Sequence, residues 1–424
     1  MVLHVHPTFP VLLFAASSIL ACRKPADVPL PPPGDAESRS VRVRMTPEQV
    51  AELQAIGYAD NTDEKADLTK KGVTRNDRAH ANPGYNVYTD RRACTATLID
   101  NAGVEHHVWR DRGCVEWGQA QLLPNGDLLV PGLSLHGTRL GRTIQRPRFL
   151  LRLSWDGRML WRSQVPAHHS AAELPDGRIV ALTTEPRILP GFHANSEVLD
   201  DRLTMLNDHG RPERVLSLYD LFKKNEIGFE LKPVTAAEKG GVKGIDLFHI
   251  NTVTPLGLDS MRGRGDLFAP ANVLITLRHQ NTLAVIDLDT KRLAWAWGQG
   301  ELDGPHDGTL LKSGHFLVVD NGLTRGWSRV LEVDPSSREI VWQYPTNPDK
   351  SLFTKSYGAA QRLDNGDTLV TDSDSGRAIE VTPKGNVVWE FYNPTITAKG
   401  ERNPVNGVRR YTPTMIEPLL KRGP

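Results

Sequence analysis

From Gly84 onward the chain alternates short apolar runs with breaker-rich turns, and the runs form two recurring kinds of hairpin. In the first kind an apolar strand ends near Asp, turns tightly, and returns in a strand usually closed by Trp. CTATLIDNAGVEHHVW ends at Trp109, FLLRLSWDGRMLW at Trp161, TLAVIDLDTKRLAWAW at Trp297, SRVLEVDPSSREIVW at Trp342 and RAIEVTPKGNVVW at Trp389. RLTMLNDHGRPERVLSL, ending at Leu218, is a sixth copy with Leu in place of Trp. Apolar runs of this length, bounded by Gly, Pro, Asn and Asp, predict β-hairpins. Trp342 lies 45 residues after Trp297, and Trp389 lies 47 after Trp342. A period of that size with four short strands per unit predicts propeller blades.

The second kind of hairpin falls between the first. WGQAQLLPNGDLLVPG starts at Trp117, HHSAAELPDGRIVALTT at His168, and HINTVTPL at His249, whose return strand NVLITLRHQ is displaced to Asn272. GPHDGTLLKSGHFLVVDNG runs from Gly304 to Gly322, and YGAAQRLDNGDTLVTDS starts at Tyr357. Six outer hairpins and five inner ones leave one inner strand set missing. GYNVYTDRR, 84–92, precedes the first outer hairpin and predicts closure by overlap of the chain ends, which removes exposed sheet edges. The expectation is an all-β, six-bladed β-propeller over 84–412. A seventh blade would need strands from 403–424.

Register then singles out a set of side chains. Counting seven residues back from each turn aligns His306, His169, Gly118 and Gly358, and His249 fits by its distance to Leu256. The innermost strand of each blade lines the central channel, so His169, His249 and His306 are predicted to converge at one mouth. Asn251, Asp307, Asp320 and Asn321 are near them in sequence. Arg278-His279 ends a strand of one of these hairpins, and Arg325 and Arg329 follow Asp320-Asn321-Gly322. A lone histidine at a strand start usually bonds a neighbouring backbone. Three in one register point to a site. Repeated Trp reads as packing between blades.

Imidazoles with arginines can hold a tetrahedral oxyanion such as sulfate or phosphate, and a neutral imidazole is also a nucleophile or a base. Three His ligands would also suit zinc. No HxH or HExxH pair occurs among the register histidines, and the arginines would repel a cation, so neither metal nor cofactor is expected. TDSDSG, 371–376, faintly resembles a calcium loop but lacks the glutamate at the required distance, and reads as a turn.

Composition adds the compartment. Lys plus Arg number 51 against 50 Asp plus Glu, which gives no reason to expect nucleic acid as a partner. The run VLLFAASSILAC, ending at Cys22, is too short to span a bilayer and suits a signal-peptide core over 1–22. Its end resembles the bacterial lipobox, so Cys22 is the expected lipidation site of an exported, periplasmic or outer-membrane-anchored protein; an ordinary secretory signal is the alternative. Residues 23–83 read as a Pro-rich linker holding one short amphipathic helix, 46–57, with a capping box from Thr46 to Gln49. The remaining cysteines, Cys94 and Cys114, flank one hairpin, and in an exported protein they predict a disulfide. Residues 413–424 read as a tail, and an insertion at 220–244 as a lid, an arm or a loop.

DLFHIN (246–251), PHDGTLL…DNG…SRVLEVD (305–334) and AHHSAAELPDGRI (167–179) resemble the bacterial arylsulfate sulfotransferases. Elsewhere the likeness is that of a generic propeller. The resemblance implies transfer of a sulfuryl group from an aryl sulfate to a phenol through a sulfo-histidine, without a nucleotide donor. It implies roles for His249, His306 and His169, and for Arg325 or Arg329 as the arginine after DNG. Arg278, His279, Asn251, Asn321 and Tyr357 are expected to bind substrate. One departure stands out: the fifth inner hairpin carries Tyr357-Gly358 where a histidine would fall. Two rival readings remain, a non-catalytic assembly scaffold and a propeller that binds anions or glycans.

Overall fold

The structure, a computed structural model, describes residues 67, 69–140, 143–189, 197–234, 237–239, 242–345 and 352–422. The leader with Cys22, the tether over 23–45 and the helix expected at 46–57 lie outside the described residues. The remainder forms six antiparallel blades around a channel. From the channel outward, blade 1 is Val405–Tyr411, Tyr85–Asp90, Thr95–Asp100 and Glu105–Arg110. Blade 2 has a broken inner strand, Cys114–Trp117 and Gln121–Leu122, then Leu128–Ser134, Arg148–Leu153 and Met159–Ser163. Blade 3 begins at Ala167–Glu173, blade 4 at Ile250–Pro255, blade 5 at His306–Leu310 and blade 6 at Ala359–Arg362.

Closure involves both ends of the chain, in a different order from that expected. GYNVYTDRR supplies the second strand of blade 1, and the missing innermost strand is Val405–Tyr411 from the C-terminal side. The strand Gly72–Asn76, inside the stretch expected to be linker, adds a fifth, outer strand to blade 6. The chain therefore crosses the seam between blades 6 and 1 twice, and the two crossings bury a pair between Arg410 and Glu380. Residues 403–424 add one strand and the helix Pro413–Leu420, whose Ile416 and Leu419 are buried, so the expected tail is packed and no seventh blade forms.

Apolar faces of adjacent blades meet in the interior, and an indole N–H ties most outer edges to the next blade. Trp109 donates to the Ser154 carbonyl, Trp161 to Asp208, Trp342 to Pro383 and Trp389 to Asn101. In blade 4 this role falls to Trp295, which donates to Pro335 at 3.0 Å, and not to Trp297. In blade 3 Arg214 reaches Asp289 of blade 4 instead. Cys94 and Cys114 are bonded and link blade 1 to blade 2. The insertion after 218 starts as a helix, Leu218–Lys223, with Leu218, Tyr219, Leu221 and Phe222 buried. It returns as the strand Val242–Asp246, parallel to Glu197–Leu206. Its described parts are docked on blade 3, and they deliver Asp246 to the channel mouth.

Candidate functional site

The inner strands that carry the register histidines enter the ring with a break in their ladders. Pairing skips between Ala167 and Ala171, between Ile250 and Thr252, and between His306 and Thr309. At or beside this break one residue takes the left-handed conformation: His169 (φ 54°), His249 (48°), Asp307 (56°) and Tyr357 (55°). Non-glycine residues hold such a φ only where their surroundings over-determine it. Counted along the ladder from the turn, Asn251 is the true counterpart of His306 and His169. His249 lies two residues earlier, and the irregular entry of the strand brings it to the same place. Gly118 has no side chain because a Cβ there would lie 2.6 Å from the His169 carbonyl.

The three register histidines meet. The rings of His169 and His249 are 5.1 Å apart, those of His249 and His279 4.7 Å. The Tyr357 ring stands 5.6 Å from His169 and 6.1 Å from His306, bridging the two. Tyr357 thus fills the place left by the absent histidine of blade 6. The TDSDSG turn holds it there: Asp374 accepts from the Lys355 and Ser356 amides at 2.7 and 3.0 Å, and Ser373 Oγ accepts from the Gly358 amide.

Hydrogen bonds fix two of the imidazole tautomers. Asn321 uses its amide N–H groups on the Thr354 and Tyr357 carbonyls, so its Oδ1 is an acceptor and His306 Nδ1 donates to it at 2.9 Å. His249 Nδ1 donates to Asp246 Oδ2 at 2.7 Å. In both rings Nε2 is left as the basic nitrogen. His169 contacts His168 through Nδ1 at 2.8 Å, and His168 has Asp201 behind it at 3.5 Å. Burial pushes the pKa of His249 down to about 3, against the pull of Asp246, with His279 and Arg278 adding to the fall. Burial also holds His169 well below the usual value, reinforced by His168, His249 and Arg148. His306 is lowered in the same way, by burial and then by Arg278. All three imidazoles are therefore neutral at pH 7.

Arg325 and Arg329 both pair with the fully buried Asp320, at 3.2 and 2.7 Å, and Arg325 also lies over Trp327. That pairing accounts for both side chains without a substrate. Arg278, buried beside His279 at 3.1 Å, acts on both His249 and His306. Two arginines not singled out from sequence join it. Arg91 lies 4.6 Å over the Tyr357 ring and pairs with Glu116, and Arg148 lines the same cavity as His168, His169 and Tyr357. Among the described residues the Arg148 side chain makes no ion pair or hydrogen bond. This cavity holds about 130 Å³. Asn251 serves the backbone, donating to the Pro305 carbonyl at 2.8 Å. Asp246 was legible as part of DLFHIN, and Arg91 and Arg148 were hidden in ordinary basic stretches, 91–92 and 142–148.

Asp246, His249 and His279 lie close enough to suggest a metal site. The hydrogen bonds give them another role. His279 donates from Nδ1 to the Asp246 carbonyl at 2.5 Å and accepts from Arg278 on Nε2, so both of its nitrogens are engaged. A guanidinium within reach of the same ring opposes a cation further.

Fold and site together define a six-bladed propeller with a buried imidazole–guanidinium centre at one channel mouth, a donor set matched to a tetrahedral oxyanion. The family model described as arylsulfotransferase (ASST) matches residues 150–394, more than half of the chain. The chain belongs to that family, and sulfotransferase activity is the class the family supports. No curated protein matches the sequence. Similar solved structures include a protein of unknown function from Bacteroides caccae, at 14% identity over 77% of this chain and 98% of that one (TM-score 0.47). The nidogen/laminin complex shows 12% identity over 76% and 97% (TM-score 0.45). A catalytically inactive virginiamycin B lyase from Staphylococcus aureus shows 14% over 80% and 88% (TM-score 0.39). Identities this low say nothing of activity.

Proposed function

We propose that the protein moves a sulfuryl group from an aryl sulfate to a phenolic acceptor through a sulfo-histidine, with His249 as the nucleophile. The observation that carries this reading is the Asp246–His249 pair. A carboxylate on Nδ1 orients the ring, leaves Nε2 basic, and stabilises the positive charge the imidazole acquires when Nε2 bonds sulfur. The low pKa keeps that nitrogen unprotonated.

In the first half, the Nε2 lone pair attacks sulfur and the S–O bond to the aryl group breaks. The electron pair leaves on the phenolate, which takes a proton from solvent as it departs. Arg278 and Arg148 stabilise the charge on the sulfuryl oxygens in flight. In the second half, the acceptor phenol gives its proton to His306 Nε2 while its oxygen attacks sulfur. The N–S bond breaks, the pair returns to His249, and His306 releases its proton to solvent. The rings of Tyr357 and His169 supply aromatic faces for donor and acceptor. Tyr357 in the blade without a histidine is then a binding residue, and the nucleophile lies elsewhere. Export as a lipoprotein through Cys22 fits the bonded Cys94 and Cys114, since disulfides persist in oxidising compartments.

The test is incubation with a chromogenic aryl sulfate, with and without a phenol, followed by peptide mass spectrometry. The expected result is acceptor-dependent release and an SO3 adduct on the peptide carrying His249. Sulfate binding without turnover would instead establish an anion-binding module, and an adduct on another residue would move the nucleophile.

A further inference from the structure

The motif His306-Asp307 has a second member that the histidine chemistry does not use. His306 is oriented by Asn321 and the Gly304 carbonyl, and Asp307 faces the other way, into the channel. There it joins most of the ring. Its amide donates to Thr252 Oγ1 of blade 4 at 3.0 Å, and its Oδ2 accepts from the Ala360 amide of blade 6 at 2.7 Å. Its Oδ1 accepts from Gln119 Nε2 of blade 2 at 3.4 Å and from Arg409 Nη2 of blade 1. One residue in blade 5 thus binds four other blades at the channel axis, three through its carboxylate and one through its amide, with its backbone in the left-handed region.

What lies on either side of this hub gives it a meaning. Toward the histidines there is a void of about 20 Å³, lined by His169, His306 and Tyr357 and floored by Gln119, Thr252 and Asp307. On the far side the same three residues cap a cavity of about 760 Å³. That cavity opens between the exposed Lys312, Ser313 and Asp364. Bulk water therefore reaches the underside of the site and is stopped by one layer of side chains.

We propose that Asp307, with Arg409 and Gln119, is a water seal that determines whether a sulfated histidine reacts with a phenol or with water. The proposal rests on the sulfo-histidine reading above. In the unwanted reaction a water oxygen attacks sulfur, the N–S bond breaks, and its electron pair returns to the imidazole nitrogen. The product leaves as hydrogen sulfate, and its proton passes to solvent. A transferase that forms a reactive covalent intermediate needs such exclusion. Asp307 and Arg409 are positioning residues here, because they shape the access of water and touch no reacting atom.

The experiment compares wild type with Arg409→Ala, Arg409→Lys and Asp307→Asn, measuring sulfated acceptor against inorganic sulfate from one aryl sulfate. Opening the seal is expected to raise the sulfate share roughly tenfold in Arg409→Ala, equivalent to about 1.4 kcal/mol off the barrier to attack by water. Arg409→Lys should restore much of the wild-type ratio. A folded Arg409→Ala protein with the wild-type ratio overturns the seal. If that variant does not fold, Gln119→Ala, which loses the longest of the bonds, is read the same way. If wild type turns over no aryl sulfate, the sulfotransferase reading falls by itself. The seal is then judged by the rate at which diethyl pyrocarbonate modifies His169 and His306: faster in the folded variant supports it, equal rates overturn it.

Discussion

The two ends of the channel use the same residue types to opposite effect. At the wide end Arg362 pairs with Glu332, Arg410 with Glu380 and Arg409 with Asp307, so cations there are matched by carboxylates at the blade seams. At the histidine end Arg91 pairs with Glu116, but Arg148 has no carboxylate among the described residues, Arg278 contacts a histidine, and three imidazoles are held neutral by burial. Matched pairs between blades hold the ring closed; the Arg148 guanidinium, with no ion pair among the described residues, is available to an anion. The contrast shows why size alone misleads here. The cavity of about 760 Å³ is the larger one, and the imidazole–guanidinium cluster sits beside the one of about 130 Å³.

The sharpest way to break this comparison is at the nucleophile. His249→Ala is expected to reduce transfer by about a thousandfold or more, as loss of a covalent nucleophile does. Steady-state kinetics with an aryl sulfate and a phenol check it, and a variant with near wild-type kcat would return the centre to a binding role. Arg278→Ala and Asp246→Asn should each cost about a hundredfold in kcat, the size of a lost transition-state charge contact or a misoriented imidazole. Gln361→Ala, on the wall of the wide cavity, should stay within about twofold in the same assay.

Smaller effects separate structure from chemistry. Reducing the Cys94–Cys114 bond, which closes a loop of 20 residues, should lower stability by about 3 kcal/mol. Denaturant titration with and without reductant reads it. The histidines also set a pH dependence. Their folded pKa values lie below that of an unfolded histidine, so the unfolded chain binds more protons as pH falls through about 6.5. Stability is fully present above that value and falls toward the folded pKa, which for His249 is about 3. Each such histidine contributes at most about 1.4 kcal/mol per pH unit inside that window. His249→Phe should therefore flatten the fall in melting temperature between pH 6.5 and 5, and an unchanged slope would show that His249 is protonated in the folded protein.

Much of this was legible in the chain. Hairpins closed by Trp gave the period and the blade count, because a blade is a local unit whose strands are joined by short turns. The three register histidines were legible for the same reason. What Arg325 and Arg329 bind was not legible, because proximity in sequence to Asn321 says nothing of the buried Asp320 carboxylate that holds them both. Ring closure was half legible: GYNVYTDRR belongs to the seam, but the strand that completes blade 1 lies more than 300 residues away, at Val405–Tyr411.

The sequence by itself determined the repeat, the blade architecture and which histidines line the channel, since alternation and turn chemistry act over a few residues. The tertiary structure decided what those histidines can do. Asp246 behind His249 comes from the insertion ahead of blade 4, Asn321 behind His306 and Asp307 beside it from blade 5, and Tyr357 between two rings from blade 6. Protonation and access to water depend on burial and on contacts between blades across the ring axis, and spacing along the chain does not encode those.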